Sequence, residues 1–575
     1  MTPETPAKSY SFRFTACTLL VLLVTKAGFG LTGAFGDRMV TNLLSYFQDA
    51  MLVLLSAGLL ALTERVAPAW LKPFFRATFI LWVALLTIMS LAYTPLIPDI
   101  LRQPINLFSL DPAIITFSAG LFVSPLLLAS AFGFIALLFG LPVVLAAHIR
   151  PASPWVWAAC LLQTALFFGS LWQPVVSPLV YSLMEEAAAL GRRTHNEYGI
   201  GTLEPSPDAA KGADYSFLFR PRPALPATAS RYSRVVVLVM ESVDYDALMR
   251  QFNEPGSEFP KRFDGHCVSY SNYHCLNLES YTGLLTLLNG VFIPYRAYGD
   301  DSSFSFVNDR DNLVRDMRGA GFTPWFVSSY GAWQARFVPD GPDWEGILLK
   351  DPEKNAGFVS VDTNHMERAV EDFAVLEDVV GLCRRPGKTF IMQEMVAGHS
   401  PIWTEETGIE PLAYYDRYFT RLYDRLAQEG LLEGTLLAIT SDHGPRPRPT
   451  DPDSYHLPLL LISPDLTPGT EKGFLSHLDF AQILWAEISG GPPPREAERI
   501  FVVGSSVSFV YGMLGRDGTY ALIDDHAFRV STNMPITGVR PFQIEFEGYL
   551  SYFEERRKKA APGPQAPLGD KIIIR

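Results

Sequence analysis

Long apolar stretches dominate the chain before about residue 178, and shorter apolar runs alternate with polar positions after it. Five of the long stretches are near the ~20 residues that a membrane-spanning helix needs. They cover residues 12–34, 43–63, 77–95, 122–147 and 155–176. The first has the length of a signal peptide, but four more follow it, which favours an uncleaved anchor. The pattern therefore predicts a five-helix transmembrane domain over residues 1–177.

Basic residues in the short loops predict the orientation of these helices. With the N-terminus inside, the inner segments carry more Lys and Arg than the outer loops: Lys8, Arg13, Arg65, Lys72, Arg76 and Arg150 against Lys26, Arg38 and Arg102. Five crossings then place the rest of the chain outside the cytoplasm. We thus expect a multi-pass protein of the inner (cytoplasmic) membrane whose C-terminal domain is periplasmic or extracellular.

The pattern changes at residues 178–230, where "YSLMEEAAALGRR" predicts an amphipathic interfacial helix and "RPRPALPATAS" is typical of a linker. From residue 231 onwards, short apolar runs end abruptly in polar residues, as in "RVVVLVMES", "KTFIMQEMVAGHS", "GTLLAITSDHG" and "YHLPLLLISP". Such runs indicate strands buried on both faces of a sheet. Helical patterns such as "DNLVRDMRGAG" and "AYYDRYFTRLYDRLAQEG" alternate with them. Residues 231–555 are therefore predicted to form an α/β domain with a largely parallel central sheet, followed by a tail at 556–575.

Charge and cysteine content narrow the classes of function. The net charge of −13 argues against a nucleic-acid partner. The five cysteines form no CxxC pair and no Cys/His zinc module, so neither a zinc ribbon nor a disulfide-built scaffold is indicated. They leave room for one disulfide, for which Cys267–Cys275 is the shortest closure.

Metal-capable side chains follow three separate predicted strands. Glu241 ends the first run, the loop with His399 follows the second, and Asp442 with His443 ends the third. Ligands gather at the carboxyl ends of strands in open α/β sheets. A single strand-end Asp-His pair is more often a cap or a turn, but the four residues together predict a metal site.

At "SDHG" after an apolar strand, with "VLVMES" some 200 residues earlier, the chain resembles the sulfatase/alkaline phosphatase superfamily. Its layout of spans, linker and outer domain is similar to the membrane-bound branch that includes lipoteichoic acid synthase and the phosphoethanolamine transferases. "LSHLDFAQILWAEISG" is similar to a late helix of that family, with Asp479 at its Asp position. The resemblance implies that Glu241, Asp442 and His443 are metal ligands.

The resemblance also implies that two histidines contact the substrate. His399 would contact the phosphate or the leaving group, and His456, in "YHLPLLL", would contact substrate or a second metal. The alternative for His456 is a strand-end histidine that is hydrogen-bonded to the backbone.

The segment "NLESYTGLLTLLNG" contains the candidate nucleophile. Ser280 lies ten residues before Gly290, the interval at which the family places its nucleophile, which also contacts the metal. The leucines that follow predict a helix starting just after Ser280, so its hydroxyl would sit at the positive end of the helix dipole. The alternatives are a plain N-cap role for Ser280 and Thr282 as the nucleophile. The Pro and Arg that a formylglycine site requires are missing, so Ser280 should remain a serine.

Together these features predict a transferase that uses a divalent metal, Zn or Mn. Ser280 would take the headgroup of a phospholipid donor and pass it to an envelope glycan or lipid acceptor. Trp333 and Arg336, in "SYGAWQARF", loosely resemble a phosphoglycerol-binding motif, although a packing Trp and a surface Arg are the alternative. The resemblance implies that the donor headgroup is phosphoglycerol or phosphoethanolamine. Two other hypotheses are a membrane-anchored phosphodiesterase or atypical sulfatase, and an inactive scaffold.

Overall fold

The computed structural model describes residues 68, 70–71, 203–219, 230–294, 312–329, 343–351, 354–355, 359–362, 367–398, 411–445, 448–504, 510–525, 529–559 and 571–574. The chain divides into two compact units, Met1–Gly191 and Arg192–Arg575. The five predicted spans lie outside the described residues. Within the described part of the chain, no helix is both long enough and apolar enough to cross a membrane.

The strands of the described residues are, in chain order, β1 (Arg234–Met240), β2 (Cys267–His274), β3 (Phe322–Ser328), β4 (Gly346–Leu349), β5 (Val359–Asp362), β6 (Glu367–Val370), β7 (Lys388–Glu394), β8 (Thr435–Ser441), β9 (His456–Ile462), β10 (Gly469–Glu471), β11 (Leu475–Ser476), β12 (Arg499–Val503), β13 (Val510–Gly515), β14 (Tyr520–Asp524), β15 (Arg529–Thr532) and β16 (Ile572–Ile574). In this part of the chain, ten of them form one sheet in the order β10–β2–β9–β8–β1–β7–β3–β4–β16, with β11 also paired to β2.

The helices of the described residues are α1 (Pro207–Ala210), α2 (Tyr245–Asn253), α3 (Phe259–Phe263), α4 (Ser280–Asn289), α5 (Leu313–Gly319), α6 (Leu376–Cys383), α7 (Pro411–Gln428), α8 (Phe480–Ser489) and α9 (Ile536–Lys559). Short 3-10 turns lie at Ser216–Leu218, Asp372–Val375, Pro452–Tyr455 and His477–Asp479.

The central sheet is mixed and mostly parallel. Strand β1 pairs in parallel with β7 on one side and β8 on the other. The exception near the site is β9, which runs antiparallel to both β8 and β2. Because β9 returns from the edge at which β8 ends, its first residue, His456, lies at that same edge. The predicted α/β domain with a largely parallel central sheet is confirmed, and the antiparallel β9 makes the sheet a mixed one.

Both faces of the central sheet are covered, as the unbroken apolar runs predict. Val235, Val237 and Val239 of β1 belong to one apolar cluster, which includes residues of α4, α5 and α8. The alternate residues of the same strand belong to a second cluster, which includes residues of α6 and α7. The strand is thereby held rigidly at its carboxyl end, where Glu241 follows.

A smaller antiparallel sheet, β12–β13–β14–β15, lies beside the central one and packs on α9. Leu203, Tyr215 and Leu218 contribute to the same apolar cluster. Residues 203–219 are part of the segment that the composition placed in the linker. In the structure, the backbone N–H of Ser206 donates to the carbonyl of Glu547 on α9.

The disulfide for which the sequence left room does not form, and Cys267 and Cys275 are free thiols. Cys267 begins β2 and Cys275 follows its last residue, so about eight residues of extended chain separate them. At ~3.3 Å per residue their Cα atoms are roughly 25 Å apart, whereas a disulfide joins Cα atoms within about 7 Å. Proximity in sequence misled here because the intervening residues form a strand.

Candidate metal centre and nucleophile

Two neighbouring parallel strands bring the acidic residues of the site together. Strands β1 and β8 are in register with Met240 opposite Ser441, so Glu241 and Asp442 leave the sheet side by side. The backbone N–H of Asp442 donates to the carbonyl of Met240 at 3.0 Å. One ligand atom each from Glu241, Asp442 and His443 lies within 4.8 Å of the others, and all three residues are buried. These are three of the residues that the sequence assigned to the metal.

The imidazole of His443 is oriented by a backbone carbonyl. Its Nδ1 lies 2.7 Å from the carbonyl oxygen of Gly444, which can only accept, so Nδ1 carries the proton. In the neutral imidazole, Nε2 then presents its lone pair. That atom lies 3.3 Å from Glu241 Oε1 and 3.6 Å from Asp442 Oδ2. A backbone carbonyl that fixes the tautomer in this way is typical of a metal-ligating histidine.

The hydroxyl of Ser280 points into the same cluster. Its Oγ donates to Glu241 Oε2 at 2.9 Å and lies 3.3 Å from His443 Nε2. Thr282 is directed elsewhere, since its hydroxyl donates to the carbonyl of Glu279. Of the two hydroxyls that the sequence weighed, the structure brings Ser280 to Glu241 and His443.

Ser280 is the first residue of α4 and not its cap. The N-cap is Glu279, and no side-chain hydrogen bond caps the helix. The N-cap alternative for Ser280 is therefore wrong, because Glu279 holds the cap position and Ser280 is already the first helical residue. Its hydroxyl donates to Glu241. The predicted helix is present and begins at Ser280, one residue before the expected start, and the positive end of the α4 dipole faces the acidic cluster.

Helix α4 reaches the cluster through a backbone contact that only glycine permits. A Cβ on Gly283 would lie 2.3 Å from the carbonyl oxygen of Asp442. No side chain fits between α4 and the end of β8, so the helix sits directly on the loop that carries Asp442 and His443. Nothing in the spacing of the segment indicated this role for Gly283.

Ser242 links the two acidic residues. Its hydroxyl donates to Glu241 Oε1 at 2.6 Å, and its backbone N–H donates to Asp442 Oδ1 at 3.0 Å. Its φ of 59° is in the left-handed region, which is uncommon for a residue with a side chain. Such a conformation persists where the surroundings determine it strongly.

The charge of the cluster favours a cation. Burial, followed by the nearby Glu241, raises the pKa of Asp442 to about 6. Asp442 Oδ1 is already occupied by the N–H groups of Ser242 and His443, while Oδ2 is directed towards His443 Nε2. Two buried carboxylates, an imidazole lone pair and a hydroxyl are a suitable ligand set for a divalent metal such as Zn or Mn. The chemistry of the donor set therefore fits the expected cofactor.

The remaining predicted site residues divide into two groups. His399, Trp333 and Arg336 lie outside the described residues. His456 begins β9, where its Nε2 lies 3.0 Å from the carbonyl oxygen of Ser271 and its ring stacks on Tyr245 at 4.6 Å between centroids. This backbone contact agrees with the alternative that the sequence left open for His456. Its contact with substrate stays a prediction.

Two residues near the cluster were not anticipated as part of it. His477 is fully buried, and its Nε2 donates to the carbonyl of Ser441, just before Asp442. Burial lowers the pKa of His477 to about 3, so it stays neutral. Tyr415 accepts the backbone N–H of Glu241 at 3.1 Å. In the sequence, Tyr415 is one of several aromatic residues in a helical pattern, and only the fold distinguishes it.

Comparisons with known proteins identify the family to which the domain is similar. Residues 409–485, which include Asp442 and His443, match the family model described as sulfatase. This match over part of the α/β domain confirms the resemblance to sulfatases that the motifs indicated. A search of curated proteins finds no match.

Several solved structures are similar at low identity. A protein in the alkaline phosphatase superfamily from Vibrio parahaemolyticus is 15% identical over 61% of this chain and 94% of its own, with a TM-score of 0.47. The lipoteichoic acid synthase LtaP from Listeria monocytogenes is 13% identical over 64% of this chain and 98% of its own, with a TM-score of 0.40. The C-terminal periplasmic domain of EcEptC from Escherichia coli is 14% identical over 49% of this chain and 91% of its own, with a TM-score of 0.33.

Proposed function

We propose that the chain is a metal-dependent transferase that moves a phospholipid headgroup, phosphoglycerol or phosphoethanolamine, through a covalent intermediate on Ser280. The observation that carries the proposal is the contact of the Ser280 hydroxyl with Glu241 and His443 at the start of α4. A nucleophile needs a proton acceptor and a place for the phosphate charge. The Glu241 carboxylate is suited to be the proton acceptor, and the N-terminus of α4 is suited to bind the phosphate charge.

Glu241, Asp442 and His443, with the Ser280 oxygen, would hold the divalent metal. When bound, a Zn or Mn ion would neutralise phosphate charge and lower the pKa of the Ser280 hydroxyl. The residues of the chain do the rest. Glu241 Oε2 accepts a hydrogen bond from the Ser280 hydroxyl, and the Gly444 carbonyl keeps the lone pair of His443 Nε2 directed at the Ser280 oxygen.

The first step transfers the headgroup to the enzyme. Ser280 Oγ forms a bond to phosphorus as its proton leaves, and the bond from phosphorus to the glyceride oxygen breaks. That oxygen takes a proton and leaves as diacylglycerol. In the second step an acceptor hydroxyl on an envelope glycan or lipid gives up its proton and forms the new bond to phosphorus. The bond from phosphorus to Ser280 Oγ breaks, and Ser280 Oγ takes up a proton in place of the one it lost. His399 and His456 orient the phosphate in this proposal, and Trp333 with Arg336 contacts the headgroup.

The domain organisation supports a donor taken from the bilayer. Residues 1–177 would anchor the chain in the inner membrane, residues 178–230 would follow as a linker, and residues 231–555 would act outside the cytoplasm ahead of the 556–575 tail. A soluble hydrolase has no need of five spans, whereas an enzyme that consumes lipid benefits from a site held near the membrane surface.

Mass spectrometry of the full-length chain after incubation with mixed phospholipids and Zn or Mn tests the proposal. We expect a phosphate-linked headgroup on Ser280, whose mass identifies phosphoglycerol or phosphoethanolamine. Ser280→Ala should abolish the adduct, and Thr282→Ala is the matched control that should keep it. A modified Thr282 beside an unmodified Ser280, or no adduct on either residue, would contradict the proposed nucleophile.

A labelled-lipid assay separates transfer from hydrolysis. Diacylglycerol release with label moved to an added glycan or lipid fraction supports the transferase. Release of free headgroup alone would instead assign the chain to the phosphodiesterases or atypical sulfatases.

A further inference from the structure

The hydroxyl of Tyr415, on α7, joins the ends of two strands. It accepts the backbone N–H of Glu241 at 3.1 Å and that of Gly398 at 2.8 Å. Glu241 follows β1, and Gly398 is in the loop after β7. Tyr415 itself is fully buried, and its ring stacks on Phe419 with the planes 10° apart. A rigid, buried phenol therefore determines where both backbone segments lie.

The two segments touch each other at this point. A Cβ on Gly398 would lie 1.9 Å from the carbonyl oxygen of Glu241 and 3.2 Å from the Tyr415 hydroxyl. The N–H of Met395 also donates to the carbonyl of Val239, which continues the pairing of the strands. The peptide units on either side of Glu241 are thus confined by backbone on one side and by the tyrosine on the other.

The loop after β7 is held by a second buried side chain. The carboxylate of Asp372 accepts the N–H groups of Val396 and Ala397 at 3.1–3.2 Å, and the hydroxyl of Ser329 donates to it at 2.7 Å. With the hydrogen bond from Gly398 to Tyr415, three consecutive backbone N–H groups of this loop, those of residues 396 to 398, donate to buried side chains. The loop is therefore a fixed surface against which Glu241 rests.

We propose that Tyr415 is a positioning residue for the metal centre: by accepting the Glu241 and Gly398 N–H groups, its hydroxyl sets the direction in which the Glu241 carboxylate leaves β1. Glu241 contacts Ser280 and His443 through its two carboxylate oxygens, so a small turn of its backbone displaces both contacts at once. The inference rests on the proposed function only in taking the cluster as a metal site.

Tyr415→Phe removes the hydroxyl oxygen that accepts the N–H groups of Glu241 and Gly398, and it leaves the aromatic ring in place. Loss of a group that orients a metal ligand typically costs ~10–100-fold in metal affinity. We expect a loss in this range for Zn or Mn. Tyr418→Phe is the matched control, since it removes a fully buried hydroxyl from the same helix whose partner is the side chain of Gln393 within β7. Its metal affinity should stay within about twofold of wild type.

The experiment compares wild type, Tyr415→Phe and Tyr418→Phe as full-length chains. Calorimetric titration with Zn or Mn gives the metal affinity, and thermal melts of the metal-free proteins give their stability. If Tyr415 has only a structural role, Tyr415→Phe and Tyr418→Phe should both lower the stability of the metal-free protein. The two variants should then bind metal with the same affinity. Gly398→Ala is a second route to the same displacement and should weaken metal binding without touching a hydroxyl.

Each outcome has a separate meaning. Wild-type metal affinity in Tyr415→Phe, or an equal loss in both tyrosine variants, overturns the positioning role while the proposed function stands. A wild-type chain that binds neither metal overturns the metal centre and the positioning role together. Loss of affinity in Tyr415→Phe alone, with unchanged affinity in Tyr418→Phe, supports the inference.

Discussion

Substituting Gly283 by alanine should disable the site through a displacement that can be read from the structure. The added Cβ would lie 2.3 Å from the Asp442 carbonyl oxygen. To reach an ordinary contact of ~3.4 Å, α4 must retreat by about 1 Å, because a strand end buried in the core yields less than a helix start. Ser280 is three residues earlier on the same helix and moves with it. Its 2.9 Å bond to Glu241 would then stretch to about 4 Å, beyond a hydrogen bond.

A misplacement of about 1 Å at a reacting group costs ~100-fold in rate, or about 2.7 kcal/mol of transition-state stabilisation. The assay is the initial rate of diacylglycerol release from mixed phospholipids by the metal-loaded full-length chain. We expect Gly283→Ala to show a rate about 100-fold below wild type. Because Thr282→Ala changes the neighbouring residue without adding an atom towards Asp442, it should retain most of the rate.

Gly381→Ala is the matched control for the substitution itself. Gly381 is also a helical glycine, on α6, but an added Cβ there meets nothing within 4 Å. Alanine should stabilise that helix by up to ~1 kcal/mol and leave the rate unchanged. A folded Gly283→Ala chain, shown by a cooperative thermal melt, that releases diacylglycerol at the wild-type rate would refute the argument from backbone contact.

Three further predictions follow from buried groups. Asp442→Asn should reduce bound Zn or Mn at least ~10-fold in elemental analysis, and equal metal in both chains would contradict this. Its metal-free thermal midpoint should stay at or above that of wild type, because the substitution replaces a buried carboxylate beside Glu241 with a neutral amide. Burial raises the pKa of Asp372 from 3.8 to about 7, so its neutral form stabilises the fold below pH 3.8 and this contribution is lost as pH rises through about 7. Denaturant melts across that interval should show wild type losing stability relative to Asp372→Asn, and parallel curves would count against the shift. Peptide mapping without reductant should find Cys267 and Cys275 unlinked, and a joined peptide would overturn the arrangement of β2.

The local part of the fold was predictable because it depends on short-range pattern. Unbroken apolar runs predicted β1, β7, β8 and β9, and the structure has each of them. The direction of β9 was not predictable in this way, since periodicity says that a strand is buried but not which way it runs. The same limit applies to β16, whose pairing with β4 joins residues far apart in sequence.

The candidate site was predictable where a side chain carries the chemistry. Glu241, Asp442 and His443 could be found because metal-capable residues at the ends of separate strands meet at one edge. Gly283 and Tyr415 could not be found in this way. Gly283 matters because it has no side chain, and Tyr415 matters because its hydroxyl accepts a backbone N–H. Such contacts depend on packing distances of a few tenths of an ångström, which no spacing rule contains.

The N-cap interpretation of Ser280 failed for a reason that bears on mechanism. A capping serine accepts from the backbone N–H groups of the first turn, and its oxygen then turns along the helix axis. Here the helix begins at Ser280 itself, and the hydroxyl donates outwards to Glu241. One oxygen cannot both cap the first turn and attack phosphorus, since the cap would place it against the N–H groups that a phosphate would use. The helix begins at Ser280, one residue earlier than it would if this serine were the cap. In the proposed reaction the hydroxyl would therefore face Glu241 as its proton acceptor, while the N-terminal end of the helix would face the phosphate.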